Sequence, residues 1–219
     1  MTDPRAELLL VRHGRTAWHS PNRYTGRSDI ELDEFGTTQA RALGEWSRSA
    51  GLAALYSSPM ARTLATATPV SQATGLPVLN REALREIDFG IAEGKTIDEI
   101  ASDNPDAVRA FLTDPITGHW PSGDEPESRA AQAISELAGI AAGHAGQRVM
   151  VVAHSTLLRL MLCQLLGIPL RRYRDAITRP EPTAITILRW DGTEPATLQA
   201  FNLPVASAQS PQQRRSSPA

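Results

Sequence analysis

Short apolar runs alternate along this chain with longer segments of mixed polarity, and the alternation predicts its secondary structure. Runs such as ELLLV and VMVVA are typical of strands buried within a sheet. They predict strands at residues 7–11, 52–56, 77–79, 149–153, 184–189 and 197–201. Helical periodicity, capping residues and glycine stops predict helices at residues 37–49, 60–74, 96–101, 106–112, 126–142 and 155–166. Pro69 lies inside the second helix, where a proline is expected to kink or break it.

Alternating strands and helices indicate a layered α/β fold with a mostly parallel sheet. The last two strands, joined through a turn at residues 191–192, are expected to form an antiparallel hairpin. Binding sites of such sheets lie at the carboxyl ends of the strands, so the residues that follow the strands are the candidates for chemistry. They are Arg12 and His13, then residues 57–62, then His154.

The composition excludes several classes of protein. Of 219 residues, 41% are apolar and 21% are charged, as in soluble globular proteins, and the net charge of −2 argues against a nucleic-acid partner. Cys163 is the only cysteine, which excludes a disulfide framework, and no metal-ligand spacing or cofactor motif is present. Residues 1–7 carry charges of both signs, unlike a signal peptide, and no run reaches the roughly 18 uncharged apolar residues of a membrane span. A cytoplasmic location without membrane contact is therefore expected.

Two further features concern the end of the chain and its basic residues. Residues 205–219 are mostly Ser, Gln, Pro and Arg, which predicts a disordered tail after a single domain at residues 1–204. Of the 22 basic residues only Lys95 is a lysine. Coding bias explains this simply, whereas a sharper explanation is that some arginines hold a planar oxyanion, which a guanidinium fork binds better than an ammonium group. The composition leaves both explanations open.

A series of segments in a defined order resembles the histidine phosphatase superfamily, which includes the phosphoglycerate mutases. The segments are LLLVRHGRTAW, RYTGRSDIELDEFGTTQA, YSSPMARTLATA, LREIDFGIAEG and VMVVAHS, and the resemblance covers about residues 7–189. It implies a three-layer α/β/α fold with a mostly parallel central sheet, phosphoglycerate mutase-like, and a single histidine phosphatase-like catalytic domain. It also implies a small phosphorylated substrate.

The resemblance implies a role for several residues of this chain. His13 would be the nucleophile that takes the phosphoryl group, Glu86 the proton donor, and His154 the second histidine of the pocket. Arg12 and Arg62 would hold the phosphoryl oxygens. The substrate side of the pocket would be lined by Thr16, Thr25 and Gly26.

General chemistry supports this assignment independently of the family. Phosphoryl transfer depends mainly on positioning and on neutralising the phosphoryl oxygens, which two guanidinium groups and a histidine can do without a metal. The positive charges of Arg12 and Arg62 disfavour the imidazolium form, so His13 is expected to stay neutral and reactive. A carboxylic acid such as Glu86 can protonate the leaving oxygen and then activate water.

Three departures from the family pattern affect the prediction. The family usually has asparagine where His19 stands, and glycine after the second histidine where Ser155 stands. Amides at a helix N-terminus favour anions, and Ser155 adds a candidate hydroxyl donor, so this helix start is still predicted to bind phosphate. Mutases of the family carry a tyrosine at Phe89 followed by a longer insertion with paired arginines. The only basic residues between Gly94 and His154 are Lys95, Arg109, Arg129 and Arg148.

These departures predict a phosphatase rather than a mutase, because a second anionic group would find fewer cations. A phosphoglycerate mutase and a non-catalytic phospho-ligand binding protein remain as alternatives. The substrate, such as a sugar phosphate or α-ribazole phosphate, is expected to be selected by Trp18, Tyr24 and residues 120–125. The groups expected on loops or the surface are His19, His119, His144 and the basic cluster at residues 171–174. The protein is expected to be a monomer or a homodimer.

Overall fold

The computed structural model of the protein describes residues 3–193 and 195–205. Its strands form one six-stranded sheet in the order β3-β2-β4-β1-β5-β6. The strands β1 to β4 are parallel to one another, whereas β5 runs antiparallel to β1 and pairs with β6 as the predicted hairpin. The strands are β1 Ala6–Arg12, β2 Leu52–Ser57, β3 Val78–Asn80, β4 Arg148–Ala153, β5 Ile185–Trp190 and β6 Thr197–Leu203.

Helices cover both faces of the sheet. The helices are α1 Glu34–Ser47, α2 Ala61–Thr74, α3 Ile97–Asp103, α4 Pro105–Thr113, α5 Pro126–Gly143, α6 Ser155–Leu165 and α7 Tyr173–Ala176. Each predicted helix and strand has a counterpart here, and the short α7 was not predicted. No helix of the described part of the chain is long and apolar enough to cross a membrane.

The three layers follow from the alternation of side chains along β1. Leu9 and Val11 point to one face, where they pack in a buried cluster with residues of α1 and α2 such as Leu43 and Val70. Leu8 and Leu10 point to the other face and join a larger cluster that includes residues of α5 and α6. Both faces of the sheet are therefore apolar, and the predicted α/β/α layering is confirmed.

The beginnings of two helices differ from the prediction. Helix α1 begins at Glu34, because the carboxylate of Asp33 accepts a hydrogen bond from the amide of Gly36 and caps the helix. The sequence predicts the second helix from residue 60, with a serine of the preceding Ser57-Ser58-Pro59 segment as its cap. Instead α2 begins at Ala61, Met60 at its N-cap makes no side-chain capping bond, and the hydroxyl of Ser58 lies 2.8 Å from Nε2 of His154.

Pro69 and the chain terminus give two further outcomes. Helix α2 is continuous through Pro69, so the expected break does not occur. Helices α1 and α2 approach closely at Pro69, where a Cβ on Gly44 of α1 would lie 2.7 Å from the carbonyl oxygen of Pro69. Val205, which the sequence places in the tail, is 5% exposed and packs in the cluster beneath α1 and α2. The rest of the predicted tail, residues 206–219, lies outside the described residues.

Candidate active site

A cleft opens at the carboxyl ends of β1 and β4, where the sequence places the candidate chemistry. The space within it is about 680 Å³, open solvent included. Charged and polar groups of β1, α6 and the loops line its floor and one side. Its aromatic lining consists of Trp18, Tyr24, Phe89, Phe111 and Tyr173.

His13 lies at the floor of this cleft, immediately after β1. The next residue is a glycine, which lets the backbone of Gly36 approach closely, since a Cβ on Gly14 would lie 2.8 Å from the carbonyl oxygen of Gly36. Nδ1 of His13 lies 2.7 Å from the carbonyl oxygen of Gly14. A carbonyl only accepts hydrogen bonds, so Nδ1 carries the proton and Nε2 of a neutral ring carries the lone pair.

The surroundings of His13 keep its ring uncharged. Burial lowers its pKa well below 6.5, and the positive charges of Arg12 and Arg62 lower the pKa further. The predicted effect of the two arginines therefore has the expected direction, although burial is the larger cause. At neutral pH the lone pair on Nε2 is available for bonding.

His154 follows β4 and lies beside His13, with 5.3 Å between the ring centroids. Nε of Arg62 donates to Nδ1 of His154 at 3.3 Å, so Nδ1 is the acceptor and the proton of the neutral ring is on Nε2, facing Ser58. Burial, followed by the charge of Arg62, lowers the pKa of His154 well below 6.5. The two histidines are thus adjacent and both uncharged.

Arg62 is fully buried beneath the site and is held mainly by the loop after Tyr24. Its guanidinium donates to the carbonyl oxygens of Ser28 at 2.8 Å and Gly26 at 2.9 Å, and more weakly to that of Thr25. After these bonds and the bond to His154, one N–H of Nη1 has no partner within the described residues. Arg62 therefore ties a loop to α2 and keeps one donor for another group.

Arg12 is buried beside His13 and makes fewer bonds. Nη1 donates to the carbonyl oxygen of Pro180 at 2.9 Å, and Nη2 lies 2.7 Å from Nε2 of His19. Its Nε is buried and has no hydrogen-bond partner in the described part of the protein. Burial lowers the pKa of Arg12 to about 10, and the guanidinium stays charged at neutral pH. An unpaired buried donor at the edge of a cleft is suited to an incoming oxyanion.

The expectation that His19 is a loop or surface group is wrong. Its ring lines the cleft with a centroid 5.8 Å from that of His13, and it contacts Arg12 on one side and Thr16 on the other. Burial and the charge of Arg12 lower its pKa to about 3. His19 therefore acts as a neutral acceptor that orients Arg12.

Glu86 is buried at the start of α6, although it lies far away in sequence. Its carboxylate accepts hydrogen bonds from the backbone amides of Ile87, Thr156 and Leu157 at 2.9 to 3.1 Å. Burial raises its pKa, and the three amide donors and Arg62 oppose that shift. The predicted phosphate site at the start of α6 is thus partly wrong, because Glu86 occupies the amides of Thr156 and Leu157. Ser155 still lines the cleft with its side chain.

Of the remaining predicted residues, one lines the cleft and two lie behind its surface. Thr25 lines the cleft, whereas Thr16 is buried and contacts His19. The amide of Gly26 donates to both carboxylate oxygens of Glu93 at 3.0 Å, and its carbonyl accepts from Arg62. Gly26 is therefore required for packing, since a Cβ there would lie 2.1 Å from the carbonyl oxygen of Ile87. Both of its polar groups face protein partners.

Four further arginines line the cleft and were missed at the sequence level: Arg23, Arg159, Arg174 and Arg179. The cluster at residues 171–174 was expected to be a solvated face, but Tyr173 is buried and Arg174 stacks on the ring of Phe111. The expectation of few cations in the pocket is also wrong, because the sequence count stopped at His154. Arg159 could have been recognised from the sequence as a candidate site residue, because it is the single charged residue in the apolar helix STLLRLMLCQL.

The loop at residues 120–125 does not line the cleft. Trp120 is buried behind the aromatic wall and stacks on Phe111 at 4.3 Å. Trp18 and Tyr24 do line the cleft, as expected. His119 lies at a separate, smaller cavity, and His144 bonds to the hydroxyl of Tyr56.

A sheet of this topology with a neutral histidine and arginines at its carboxyl edge defines an α/β protein with an anion-binding cleft. The chain matches the family model of the histidine phosphatase superfamily (branch 1) over residues 8–203. The chain therefore belongs to the histidine phosphatase superfamily, and the resemblance found in its motifs is confirmed. Within the described residues no cluster of His, Cys, Asp and Glu side chains is suited to hold a metal ion.

Named relatives include both phosphatases and mutases. The chain is 32% identical over 167 residues to phosphoserine phosphatase 1 of Hydrogenobacter thermophilus, covering 76% of this chain and 79% of that protein. It is 31% identical over 163 residues to a Citrobacter koseri protein named "Probable phosphoglycerate mutase GpmB", covering 74% and 76%. Mycobacterial glucosyl-3-phosphoglycerate phosphatase has the same fold, with a TM-score of 0.80 at 27% identity over 91% of this chain and 99% of that one. These names support phosphatase activity within the family.

Proposed function

We propose that this protein hydrolyses phosphomonoesters of small metabolites through a phosphohistidine intermediate on His13. One observation carries the proposal: Nδ1 of His13 is fixed by the carbonyl of Gly14, so the lone pair of a neutral ring is on Nε2 within an arginine-lined cleft. A nucleophile of this kind needs an uncharged ring with a defined tautomer.

The reaction has two steps. In the first, the lone pair of Nε2 forms the N–P bond, the ester P–O bond breaks, and the leaving oxygen takes the proton of Glu86. In the second, water attacks phosphorus, its proton passes to the carboxylate of Glu86, and the N–P bond breaks. The products are the alcohol, inorganic phosphate and free His13. The raised pKa of Glu86 suits a group that alternates between acid and base.

The other predicted residues bind the substrate or position the groups that bind it. We assign the phosphoryl oxygens to Nε of Arg12 and to the remaining N–H of Arg62, and His154 positions Arg62 by accepting a hydrogen bond from its Nε. Ser155 and Thr25 line the substrate side of the cleft. Thr16 and Gly26 act indirectly, through His19 and Arg62.

No metal is required in this scheme, because guanidinium groups neutralise the phosphoryl charge. We therefore expect EDTA to leave the rate unchanged. A rate that falls in EDTA and returns with a divalent cation would contradict this part of the proposal. A cytoplasmic location and a monomeric or homodimeric state remain predictions.

Replacing the nucleophile tests the proposal directly. His13→Ala is expected to lower the rate of p-nitrophenyl phosphate hydrolysis by roughly a thousandfold or more. Wild-type enzyme that is denatured at alkaline pH during turnover should carry a phosphoryl group on His13 that is stable in alkali and labile in acid, detected by mass spectrometry. A His13→Ala variant as active as wild type would exclude the proposed nucleophile, whereas a wild-type protein that hydrolyses no phosphomonoester would favour a non-catalytic site.

A phosphoglycerate mutase is the second candidate, since a relative carries that name. The phosphatase relatives and Phe89, at the position where mutases carry tyrosine, favour hydrolysis. Incubation with 3-phosphoglycerate plus 2,3-bisphosphoglycerate distinguishes the two. We expect release of inorganic phosphate, and rapid formation of 2-phosphoglycerate without phosphate release would make the protein a mutase.

A further inference from the structure

Arg159 lies in the cleft apart from the residues assigned to the phosphoryl group. It is 9% exposed, and its Nε donates to the carbonyl oxygens of Tyr173 and Ile177 at 3.1 and 3.0 Å. Its guanidinium also lies over the ring of Tyr173, 5.0 Å from the centroid. Nη1 and Nη2 have no hydrogen-bond partner among the described residues. The buried guanidinium of Arg159 is thus held through its Nε and through one face, whereas its Nη1 and Nη2 donors are available to a ligand.

Two more guanidinium groups lie on the same side of the cleft. Arg174 lies over Phe111 at 4.7 Å, and Arg179 donates to the side-chain oxygen of Asn22 at 2.8 Å. Both contacts are with neutral groups, so neither charge is compensated. The three arginines line the same cleft, and burial lowers the pKa of Arg159, a shift to which the positive charges of Arg179 and Arg174 add.

No carboxylate of the described residues neutralises the positive charge of these three arginines. Arg159, Arg174 and Arg179 form no ion pair there, and Glu86, the one acidic residue lining the cleft, faces backbone amides. Arg23 on the opposite side provides the contrast, since Glu99 binds its guanidinium at 2.6 Å. The uncompensated charge is therefore confined to the side formed by α6, α7 and the loop that follows α7.

A single phosphoryl group does not account for this charge. Arg12 and Arg62 are already assigned to its oxygens, while the three outer arginines come from a different part of the chain. Like charges that are brought together without counterions destabilise a fold unless a ligand compensates them. Aromatic stacking and backbone carbonyls hold these groups in place before any ligand arrives.

We propose that Arg159, Arg174 and Arg179 form a second oxyanion subsite, so that the preferred substrate carries a carboxylate or a second phosphate beside its scissile phosphomonoester. This inference rests on the proposed function for the identity of the first group. The guanidinium fork of Arg159 binds the second oxyanion, and the two exposed arginines attract it and complete its coordination. Carboxylate and phosphate share the recognised chemistry, and the experiment separates them.

Binding to a variant that cannot react provides the first test. In His13→Ala, the Kd of 3-phosphoglycerate is compared with that of glycerol 3-phosphate, and the Kd of glucose 1,6-bisphosphate with that of glucose 6-phosphate, by isothermal titration calorimetry. In at least one pair the doubly anionic compound is expected to bind about tenfold to a hundredfold more tightly. The pair that shows the preference identifies carboxylate or phosphate as the second group.

Further substitutions in the same background locate the preference. Arg159→Gln should abolish the difference within the pair, and Arg174→Gln, at an exposed position, should reduce it without endangering folding. Arg171→Gln is the matched control, because Arg171 is exposed in the same segment and does not line the cleft. It should retain the full preference.

The outcomes separate this inference from the proposed function. Equal affinities within both pairs, or a preference that persists in Arg159→Gln and Arg174→Gln, would exclude the second subsite. Hydrolysis of p-nitrophenyl phosphate by wild type would leave the proposed function intact in that case. Conversely, a preference in the binding experiment together with an enzyme that hydrolyses none of the phosphomonoesters would support the subsite and exclude the proposed function.

Discussion

The two ends of strand β1 use arginine in opposite ways. At the amino end, Arg148 and Arg189 bind the carboxylate of Glu7, and Arg189 also pairs with Asp3. At the carboxyl end, Arg12 has only neutral partners, namely the carbonyl of Pro180 and the ring of His19. Arginines that meet carboxylates hold the fold together, whereas arginines held by neutral groups keep their charge available for an anion.

Two carboxylates, one at each end, also lie in different environments. Glu7 is surrounded by guanidinium groups, and Glu86 is surrounded by backbone amides. This difference predicts that charge-removing changes at the two ends affect different properties. Changes at the cleft end should lower activity, and changes at the amino end should lower stability.

The largest expected effect is that of Glu86→Gln, which should lower kcat by roughly a hundredfold to ten-thousandfold. The pKa of Glu86 is raised and that of His13 lowered, so wild-type kcat/KM should rise through the His13 pKa and fall as pH increases through the Glu86 pKa. Glu86→Gln should lose the alkaline fall. Phosphate-release assays across pH measure the fall in kcat and the change in the pH profile. An alkaline fall in kcat/KM that is unchanged in Glu86→Gln would exclude Glu86 as the proton donor.

Arg12→Lys should lower kcat/KM by about tenfold to a hundredfold, because an ammonium group cannot reproduce the fork or the orphan Nε donor. Arg62→Lys should also lower activity, partly by releasing the loop carbonyls that Arg62 binds. Steady-state kinetics measure these losses. The matched control is Arg148→Lys at the amino end, and an equal loss there would contradict the contrast between the two ends.

The pH dependence of folding should also originate at the cleft end. The folded-state pKa of His154 is well below 6.5, so the native protein binds fewer protons than the unfolded chain. The stability that the neutral ring contributes to the fold is therefore fully present above pH 6.5. Below that pH the free energy of unfolding falls by about 1.4 kcal/mol per pH unit. Urea unfolding at several pH values below 6.5 should show a shallower dependence for His154→Gln, and an unchanged slope would contradict a neutral buried ring.

The smallest expected effect is that of Glu7→Gln, which should lower the free energy of unfolding by about 1–2 kcal/mol, since it leaves Arg148 and Arg189 without their shared carboxylate. Denaturant unfolding measures the loss, and kcat should stay at the wild-type value. A large fall in kcat would show that the amino end of β1 contributes to the site.

The motifs predicted the reactive centre but only part of its surroundings. His13, Glu86 and His154 belong to recognisable segments, and the structure brings His13 and Glu86 to one cleft with His154 buried beside His13. His19 and Arg174 were assigned to the surface, because nothing in their local sequence shows which side chains face them. Ser155 was expected at a free helix terminus, yet the neighbouring amides are occupied by a residue 70 positions away.

The sequence by itself determined the alternation of strands and helices, because apolar periodicity is a local property that burial must satisfy. It also predicts the candidate reactive groups, because the motifs around His13 and His154 are contiguous. Only the tertiary structure decided which arginines are compensated. Glu7 lies 141 and 182 positions from the arginines that it binds, and Arg12 lies 168 positions from the carbonyl that holds it. Coulombic attraction and hydrogen bonding depend on distance in space, so the partner of a charge emerges only when the layers pack.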